Sequence, residues 1–291
     1  MEIIIVDDCS GDRTVQEIEN FIASYEWWIP IKLIKNIINA WPGKTYNRAV
    51  ECAMGRYITF VDSDDFLIAP WFAEKIHLFE QNNFLKIVYA NGYFFEDNSI
   101  GRMIQSHLPR LLSWSIDHIR ARLFENIPML SISCSVIRRD FFLEIWWFDN
   151  RCQSNDWVLN IRIMNSISSR EAIGYVLDPV FAYRMHSANI SKNQERMITL
   201  LVEVVENYFP WKYKMQGYSN IFFTASLNYL TQGECKKSCK AIKKSLQSQF
   251  SLAHLIIYIL VYVSPVAWLS HKFPQIFNWC KKFIQHITSH Y

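Results

Sequence analysis

Four consecutive residues, Asp62-Ser63-Asp64-Asp65, place three carboxylates within one turn. Carboxylates this close repel one another, so such a turn is stable mainly when a cation lies among them. Asp62 and Asp64 would point the same way in an extended chain, so both can ligate one hard cation, Mg²⁺ or Mn²⁺. Such a cation would neutralise charge on a departing diphosphate. The alternative is a solvated turn or a helix N-cap, which acidic residues also favour.

A second acidic pair, Asp7-Asp8, follows a β-branched run that is typical of a strand buried on both faces. Ligands of α/β sheets bind beyond the carboxyl ends of strands, where both acidic clusters fall. Strands are predicted over residues 3–6, 31–34, 57–61, 86–95, 131–137 and 172–183, and helices over residues 14–22, 45–54 and 157–164. This alternation predicts an α/β sheet with helices on both faces.

Several segments resemble inverting family-two glycosyltransferases. Residues 2–14, EIIIVDDCSGDRT, are similar to the segment that carries the family's first acidic pair. Residues 43–49, GKTYNRA, and 53–58, AMGRYI, resemble its next helix and strand, and residues 62–65 match its DxD signature in the same order and spacing. The resemblance extends to about residue 191 and implies a GT-A fold, a Rossmann-like sheet, over residues 1–194.

The resemblance also implies roles for the acidic residues. Asp7 and Asp8 would contact the base and ribose of a nucleotide-sugar donor, a UDP-sugar in the first instance. Asp62 would lie near the ribose, and Asp64 would hold the Mn²⁺ or Mg²⁺ ion that bridges the two phosphates.

An inverting transferase needs a general base that deprotonates the acceptor hydroxyl. Residues 153–157, QSNDW, stand where the family has its "ED" motif, so the resemblance implies that Asp156 is this base. Asn155 replaces the family's glutamate, so a rise in the pKa of Asp156 would have to come from burial. A plain N-cap aspartate is the alternative.

Residues 183–191, YRMHSANIS, resemble the stretch that closes the family's domain. His186 would complete the metal shell or touch the diphosphate, and Arg184 would bind phosphate through two hydrogen bonds. Lys44 is a further candidate phosphate ligand, although solvation on a helix surface explains it equally well. Three tryptophans near the predicted acceptor site are candidates for sugar stacking, with core packing as the alternative: Trp146, Trp147 and Trp157.

The second half of the chain differs in pattern and charge. Residues 195–249 show only helical periodicity, and residues 250–291 are apolar and basic. From residue 210 onward there are ten lysines, no arginine and one acid, whereas the preceding residues carry 20 basic and 26 acidic side chains. We expect residues 250–291 to lie in the plane of a membrane's inner face rather than to span it. A helix packed on the catalytic domain is the alternative; nucleic-acid binding is disfavoured, because no arginine accompanies the lysines.

Other features exclude competing classes. Seven cysteines without CxxC spacing argue against a closed disulfide framework and for reduced, cytoplasmic thiols. No signal peptide precedes the first strand, and no GxGxxG follows it, which disfavours a nicotinamide-dependent oxidoreductase. Family members carry a further strand and helix ahead of residues 2–14, so the resemblance implies an N-terminally truncated domain.

The sequence therefore predicts a metal-dependent, hexosyltransferase-type enzyme peripheral to the cytoplasmic face of the membrane. It would move a sugar, with inversion, to a glycan or lipid-linked acceptor in cell-surface polysaccharide synthesis. The alternative is a truncated or degenerate, non-catalytic homologue that is membrane-associated.

Overall fold

The computed structural model describes residues 1–259 except residues 27, 69–71, 126–129, 154 and 188. The chain divides into two compact units, Met1–Asn189 and a second that begins at Ile190. Of the predicted membrane-associating tail, only residues 250–259 fall within the described part; the remainder, with Cys280, lies outside it. The domain boundary predicted at residue 194 and the predicted N-terminal truncation stay predictions.

The first unit alternates strands with helices, as predicted. Its strands are β1 Ile3–Asp7, β2 Ile31–Lys35, β3 Tyr57–Thr59, β4 Phe66–Leu67, β5 Ile87–Glu96, β6 Ser99–Met103, β7 Val136–Arg138 and β8 Ile173–Arg184. Its helices are α1 Thr14–Ser24, α2 Pro42–Cys52, α3 Ala73–Gln81, α4 Leu108–Leu112, α5 Ile116–Glu125, α6 Arg139–Glu144 and α7 Asn155–Ser166.

The strands form two sheets. β1 and β2 pair in parallel, with Ile3 opposite Ile31 and Asp7 opposite Lys35. The larger sheet has the order β3-β7-β5-β8-β4, and β6 pairs with β5. β5 and β8 run parallel, whereas the other pairs in this sheet are antiparallel. The result is a GT-A-like α/β fold around a mixed sheet.

Helices cover both faces of the larger sheet, because successive residues of a strand point to opposite sides. Ile87 and Tyr89 of β5 pack in one core with buried residues of α5, α6 and α7. Val88 and Ala90 pack in the other, which includes Phe79 of α3. Each large apolar side chain buried in these cores contributes about 1.5–3 kcal/mol relative to exposure.

Several helices and strands begin or end at residues other than those predicted, for local reasons. α2 begins at Pro42, because proline suits the first turn of a helix. α1 begins at Thr14, whose N–H donates to Asp12 Oδ1 at 2.9 Å. The strand predicted over residues 131–137 is only β7, because Cys134 has a φ of 57° and its N–H donates to the Phe60 carbonyl at 2.9 Å.

The second unit is helical in its described part, as predicted. Its helices are α8 Gln194–Tyr208, α9 Trp211–Thr231, α10 Cys235–Ser248 and α11 Leu252–Tyr258. Buried serines join α9 to α10: Ser219 lies 3.1 Å from Ser245, and Ser226 lies 3.0 Å from Ser238, hydroxyl to hydroxyl. Among the described helices, none is long and apolar enough to cross a membrane.

Candidate functional site

The acidic turn connects the ends of two strands of the larger sheet. The Asp65 N–H donates to the Asp62 carbonyl at 3.1 Å and closes the turn that follows β3. β4 then pairs with β8, and Asp65 Oδ1 accepts the backbone N–H of Arg184 at 3.0 Å. The turn is therefore fixed against the end of β8, where residues 183–191 begin.

Asp64 and His186, which are 122 positions apart, lie side by side in this arrangement. His186 Nε2 is 2.9 Å from Asp64 Oδ2, and the two side chains are 36% and 42% exposed. The amide of Asn189 holds His186 in place, since it accepts the His186 N–H and donates to the Arg184 carbonyl. The two side chains implied as metal ligands therefore meet at one edge of the sheet.

The residues at this turn fit a divalent cation. Asp64 and His186 supply an oxygen and a nitrogen ligand, and Asp65 Oδ2 is buried without a hydrogen-bond partner in the described part of the chain. No group of three or more His, Cys, Asp or Glu side chains in that part is already arranged as a metal site. A cation here would keep open positions for phosphate oxygens, as Mg²⁺ usually does.

Burial and mutual repulsion shift the acidity of this cluster. Burial raises the pKa of Asp65 to about 7, and the charges of Asp62 and Asp64 add to the rise. Burial also raises the pKa of Asp62, with Asp64 contributing. A cation placed among these carboxylates would reverse the effect, because it favours their ionised forms.

The hydroxyl of Tyr46 donates a hydrogen bond to Asp62. The Tyr46 ring packs against Phe60 and Phe148, with centroid distances of 5.0 and 5.2 Å. Burial raises the pKa of Tyr46 well above its ordinary value, and Asp62 adds to the shift, so the phenol stays protonated as a donor. This contact was not predicted from the sequence, although Tyr46 lies within the segment 43–49 that resembles the family.

Asp156 lies in the first turn of α7, and its carboxylate Oδ2 accepts the Ile132 N–H at 3.3 Å. Burial raises the pKa of Asp156 to about 7, and the charge of Asp62 adds to the rise. Burial is thus the main cause, as expected from Asn155, but a second carboxylate also contributes. The structure brings Asp156 near enough to Asp62 for their charges to interact.

Asn47, the residue after Tyr46 in helix α2, contacts the segment that leads to α7. The buried Asn47 side chain donates to the Phe148 carbonyl and to Asn150 Oδ1, both at 2.9 Å, and accepts the Phe148 N–H at 3.0 Å. Through Tyr46 and Asn47, helix α2 therefore contacts both the acidic turn and the segment that precedes α7 and Asp156.

The first acidic pair lies at the end of β1. Asp8 accepts hydrogen bonds from Asn36 Nδ2 at 2.6 Å and from the N–H groups of Ala40 and Trp41 at 2.8 and 3.0 Å. Burial alone would raise the pKa of Asp8, but these bonds outweigh it and lower that pKa. Asp7 is buried; its Oδ2 accepts the Ser10 N–H at 3.2 Å, and its Oδ1 has no partner among the described residues.

The remaining predicted residues lie at the surface or in the core. Lys44 is exposed on α2 and forms no hydrogen bond or ion pair with the described residues. The Arg184 guanidinium lies 4.1 Å from the centroid of the Phe66 ring. Trp157 is 1% exposed and donates from Nε1 to the Leu123 carbonyl at 2.9 Å, so its candidacy for sugar stacking was wrong. Trp146 is 84% exposed.

Comparisons with known proteins show which family the chain resembles. The family model "Glycosyl transferase family 2" matches residues 1–146. The chain is 27% identical to WfgD, a β-1,3-glucosyltransferase from Escherichia coli, over 224 residues, which are 75% of this chain and 80% of that protein. The name of WfgD gives UDP-Glc and α-D-GlcNAc-diphosphoundecaprenol as its substrates. An uncharacterised glycosyltransferase from Haemophilus influenzae is 33% identical over 102 residues, 34% of this chain and only 39% of that protein.

Two solved structures share the fold. Residues 1–349 of Staphylococcus aureus TarS, in complex with UDP-GlcNAc, superpose with a TM-score of 0.51 and 16% identity, over 85% of this chain and 72% of that one. The mannosyltransferase PcManGT from Pyrobaculum calidifontis, in complex with GDP-Man and Mn²⁺, gives a TM-score of 0.57 and 12% identity, over 96% and 73%. With its sequence match, fold and acidic site, the chain belongs to glycosyl transferase family 2 and is a glycosyltransferase.

Proposed function

We propose that the chain is a metal-dependent, inverting glycosyltransferase that moves a hexose from a UDP-sugar to a glycan or lipid-linked acceptor. The observation that carries this proposal is the meeting of Asp64 with His186, at a turn whose Asp62 also influences Asp156. On this proposal, the donor-binding groups and the proton acceptor belong to one site. A role in cell-surface polysaccharide synthesis is part of the proposal.

The donor would bind at the carboxyl ends of β1 and β3. Asp7 Oδ1, a buried acceptor without a partner among the described residues, would accept an N–H of the base, because such acceptors are rarely left unsatisfied. Asp8 and Asp62 would line the ribose, while Lys44 and Arg184 would offset the charge of the diphosphate. The UDP-Glc in the name of WfgD and the UDP-GlcNAc bound to TarS support a UDP-sugar.

Asp64 and His186 would hold Mn²⁺ or Mg²⁺. When bound, this cation would supply neutralising charge for the leaving diphosphate. The fold brings together carboxylates whose ionisation is unfavourable without a cation. The raised pKa values of Asp62 and Asp65 reflect this cost. The bound Mn²⁺ of PcManGT, which shares the fold, supports this part of the proposal.

Asp156 would act as the general base. The acceptor hydroxyl oxygen forms its bond to the anomeric carbon as its proton passes to Asp156, and the bond from that carbon to the diphosphate oxygen breaks on the opposite side. A base works best when its pKa lies near the working pH, and the pKa of Asp156 is about 7. The Ile132 N–H, bonded to Oδ2, would keep the carboxylate oriented toward the acceptor.

We further propose a GT-A domain over residues 1–194, a helical extension over residues 195–249, and a membrane-associating tail over residues 250–291. The enzyme would act at the cytoplasmic face of the membrane as a peripheral protein. The diphosphoundecaprenol-linked sugar in the name of WfgD supports a lipid-linked acceptor there.

The configuration of the product tests this proposal. The protein is incubated with UDP-glucose, Mn²⁺ and a GlcNAc-diphosphoryl lipid, and the product is analysed by NMR. The α-linked donor should yield a β-linked glucoside, and a retained α-linkage would exclude an inverting reaction. If no product forms and calorimetry detects no UDP binding by the folded protein, the non-catalytic alternative is correct instead.

A further inference from the structure

Helix α10 of the second unit has one buried face and one basic face. Its buried residues are Ser238, Ala241, Ile242 and Ser245. On the opposite side, Lys236, Lys240 and Lys243 are exposed at helical spacing and form no ion pair or hydrogen bond with the described residues. No acidic residue lies within α10 to neutralise them. We call these three residues the lysine face.

The two lysines that flank this face are already engaged. Lys237 Nζ lies 3.0 Å from Glu195 and 2.8 Å from Glu234. Lys244 Nζ lies 5.0 Å from the ring centroid of Phe222. The lysine face therefore differs from its neighbours, because its charge is directed to solvent without a partner in the described part.

In helix α11 the polar residue faces the interior of the unit, the reverse of an ordinary surface helix. Its polar residue, His254, points inward: Nδ1 lies 2.9 Å from the hydroxyl of Ser245, and the ring stacks on Phe223 at 3.9 Å. Burial lowers the pKa of His254 to about 4, so the ring is neutral at physiological pH. These contacts fix which side of α11 faces the unit.

The other side of α11 is apolar and exposed. Leu252, Ile256 and Ile259 recur at helical spacing and are 64%, 48% and 45% exposed, and Phe250 just before the helix is 69% exposed. Water favours the reverse arrangement, with polar residues outward. We call Phe250, Leu252, Ile256 and Ile259 the apolar stripe.

We infer that the lysine face and the apolar stripe together dock the second unit on a membrane surface rich in anionic lipids. Unpaired lysines are attracted to anionic headgroups, and an apolar helix side inserts at the boundary of headgroups and acyl chains. The two features lie on consecutive helices joined by residues 249–251, and the inference is that the same membrane surface engages both. The inference deepens the membrane association proposed for residues 250–291, and it rests on the proposed function for the lipid-linked acceptor that would make docking useful.

Co-sedimentation of the full chain with vesicles tests the inference without any enzymatic readout. The protein should pellet with vesicles of phosphatidylglycerol and phosphatidylethanolamine and remain free of phosphatidylcholine vesicles. Replacing Lys236, Lys240 and Lys243 together with glutamine should weaken the binding roughly tenfold or more, because each lysine near an anionic surface contributes measurably. Leu252→Ser with Ile256→Ser should weaken it as well.

Matched variants separate docking from loss of fold. The control for the lysine variant replaces Lys32, Lys35 and Lys192 with glutamine, which changes the net charge by the same amount. The control for the stripe variant is Phe84→Ser with Leu177→Ser, which removes exposed apolar residues of the first unit. Both controls should bind vesicles like the wild type.

Three results would overturn the inference: no binding of the wild type, equal binding to neutral vesicles, or unchanged binding of the lysine and stripe variants. A stripe variant that loses thermal stability but not vesicle binding would show that the chain itself covers the stripe. UDP release by each variant, measured in detergent with a short acceptor, reports separately on the proposed function.

Discussion

The surroundings of Asp62 and Asp156 suit the different roles that we propose for these two carboxylates. Asp62 accepts a hydrogen bond from the Tyr46 hydroxyl, whereas Asp156 accepts one from the backbone N–H of Ile132. The charge of Asp62 makes proton release from Asp156 harder. Burial, with the charge of Asp62 adding to it, raises the pKa of the proposed base to about 7, near the pH at which it has to work.

The pH dependence of transfer should therefore report on Asp156. The ionised carboxylate is the active form, so kcat/KM should rise with pH through about 7 and fall as the pH drops below it. Asp156→Asn should lower kcat roughly 10²- to 10⁴-fold, the range for loss of a general base. A pH–rate profile with saturating Mn²⁺ checks this, and wild-type activity in Asp156→Asn would contradict it.

Asp65 gives a prediction about stability. Its pKa is raised from 3.8 to about 7 in the folded state, so ionising it weakens the fold increasingly between pH about 4 and about 7, and the penalty persists above. Asp65→Asn keeps an oxygen for the Arg184 N–H. Because the side chain is partly exposed, we expect a gain of about 1 kcal/mol at pH 8 without metal.

Thermal unfolding measured at two pH values tests this prediction. The Asp65→Asn variant should unfold at a higher temperature than the wild type near pH 8 and at the same temperature near pH 4. Destabilisation near pH 8 would mean that Asp65 is ionised without cost in the folded protein.

At the scale of elements, helix α2 joins the parts of the site. Tyr46 reaches the acidic turn, and Asn47 holds Phe148 on the way to α7. The sequence predicts this helix and makes Lys44 in it a candidate phosphate ligand, but it does not indicate the contacts of Tyr46 and Asn47. The hydrogen bond from Tyr46 depends on how α2 packs against β3, and no local pattern reports that packing.

Tyr46→Phe should distinguish the contribution of the hydroxyl from that of the ring. The variant keeps the packing against Phe60 and Phe148 but leaves Asp62 without its donor. Affinity for UDP with Mn²⁺ should fall roughly tenfold, the worth of one hydrogen bond to a charged group. Calorimetric titration measures this; Tyr46→Leu, which also loses aromatic packing, should in addition unfold at lower temperature. Unchanged affinity in Tyr46→Phe would show that the hydroxyl does not position Asp62.

Other elements show where reasoning from sequence succeeds and where it stops. The alternation of strands and helices was predictable because each element carries its own periodicity. Residues 131–135 belong to the segment predicted as a strand, yet they form a loop whose Ile132 N–H donates to Asp156. The contact of Asp64 with His186 arises from the pairing of β4 with β8, so spacing alone could not reveal it.

At the scale of the whole molecule, charge is unevenly distributed along the chain. The acidic residues are concentrated before residue 210, and the lysines of α10 follow it. This asymmetry is read directly from the sequence, which also predicts the helical character of the second unit. It could not predict the inward side of α11, because His254 is held by Ser245 and Phe223 of two other helices.

Metal should stabilise the whole molecule through the acidic turn. A ligand that binds only the folded state adds about 2.7 kcal/mol when present at 100 times its Kd. Mn²⁺ should therefore raise the wild-type unfolding temperature by several degrees near pH 8, and a chelator should reverse the rise. Asp64→Ala should lose this response, whereas Glu80→Ala, an exposed change on α3, should retain it. An equal response in both variants would place the metal elsewhere.

The central claim is that Asp64 lies in a metal-dependent donor site. Its most direct test is the release of UDP from UDP-glucose or UDP-GlcNAc, measured with and without Mn²⁺ for the wild type, Asp64→Ala and the control Glu80→Ala. The account predicts Mn²⁺-dependent release by the wild type and by Glu80→Ala, and none above background by Asp64→Ala. Release that needs no divalent cation, or that persists in Asp64→Ala, would contradict it.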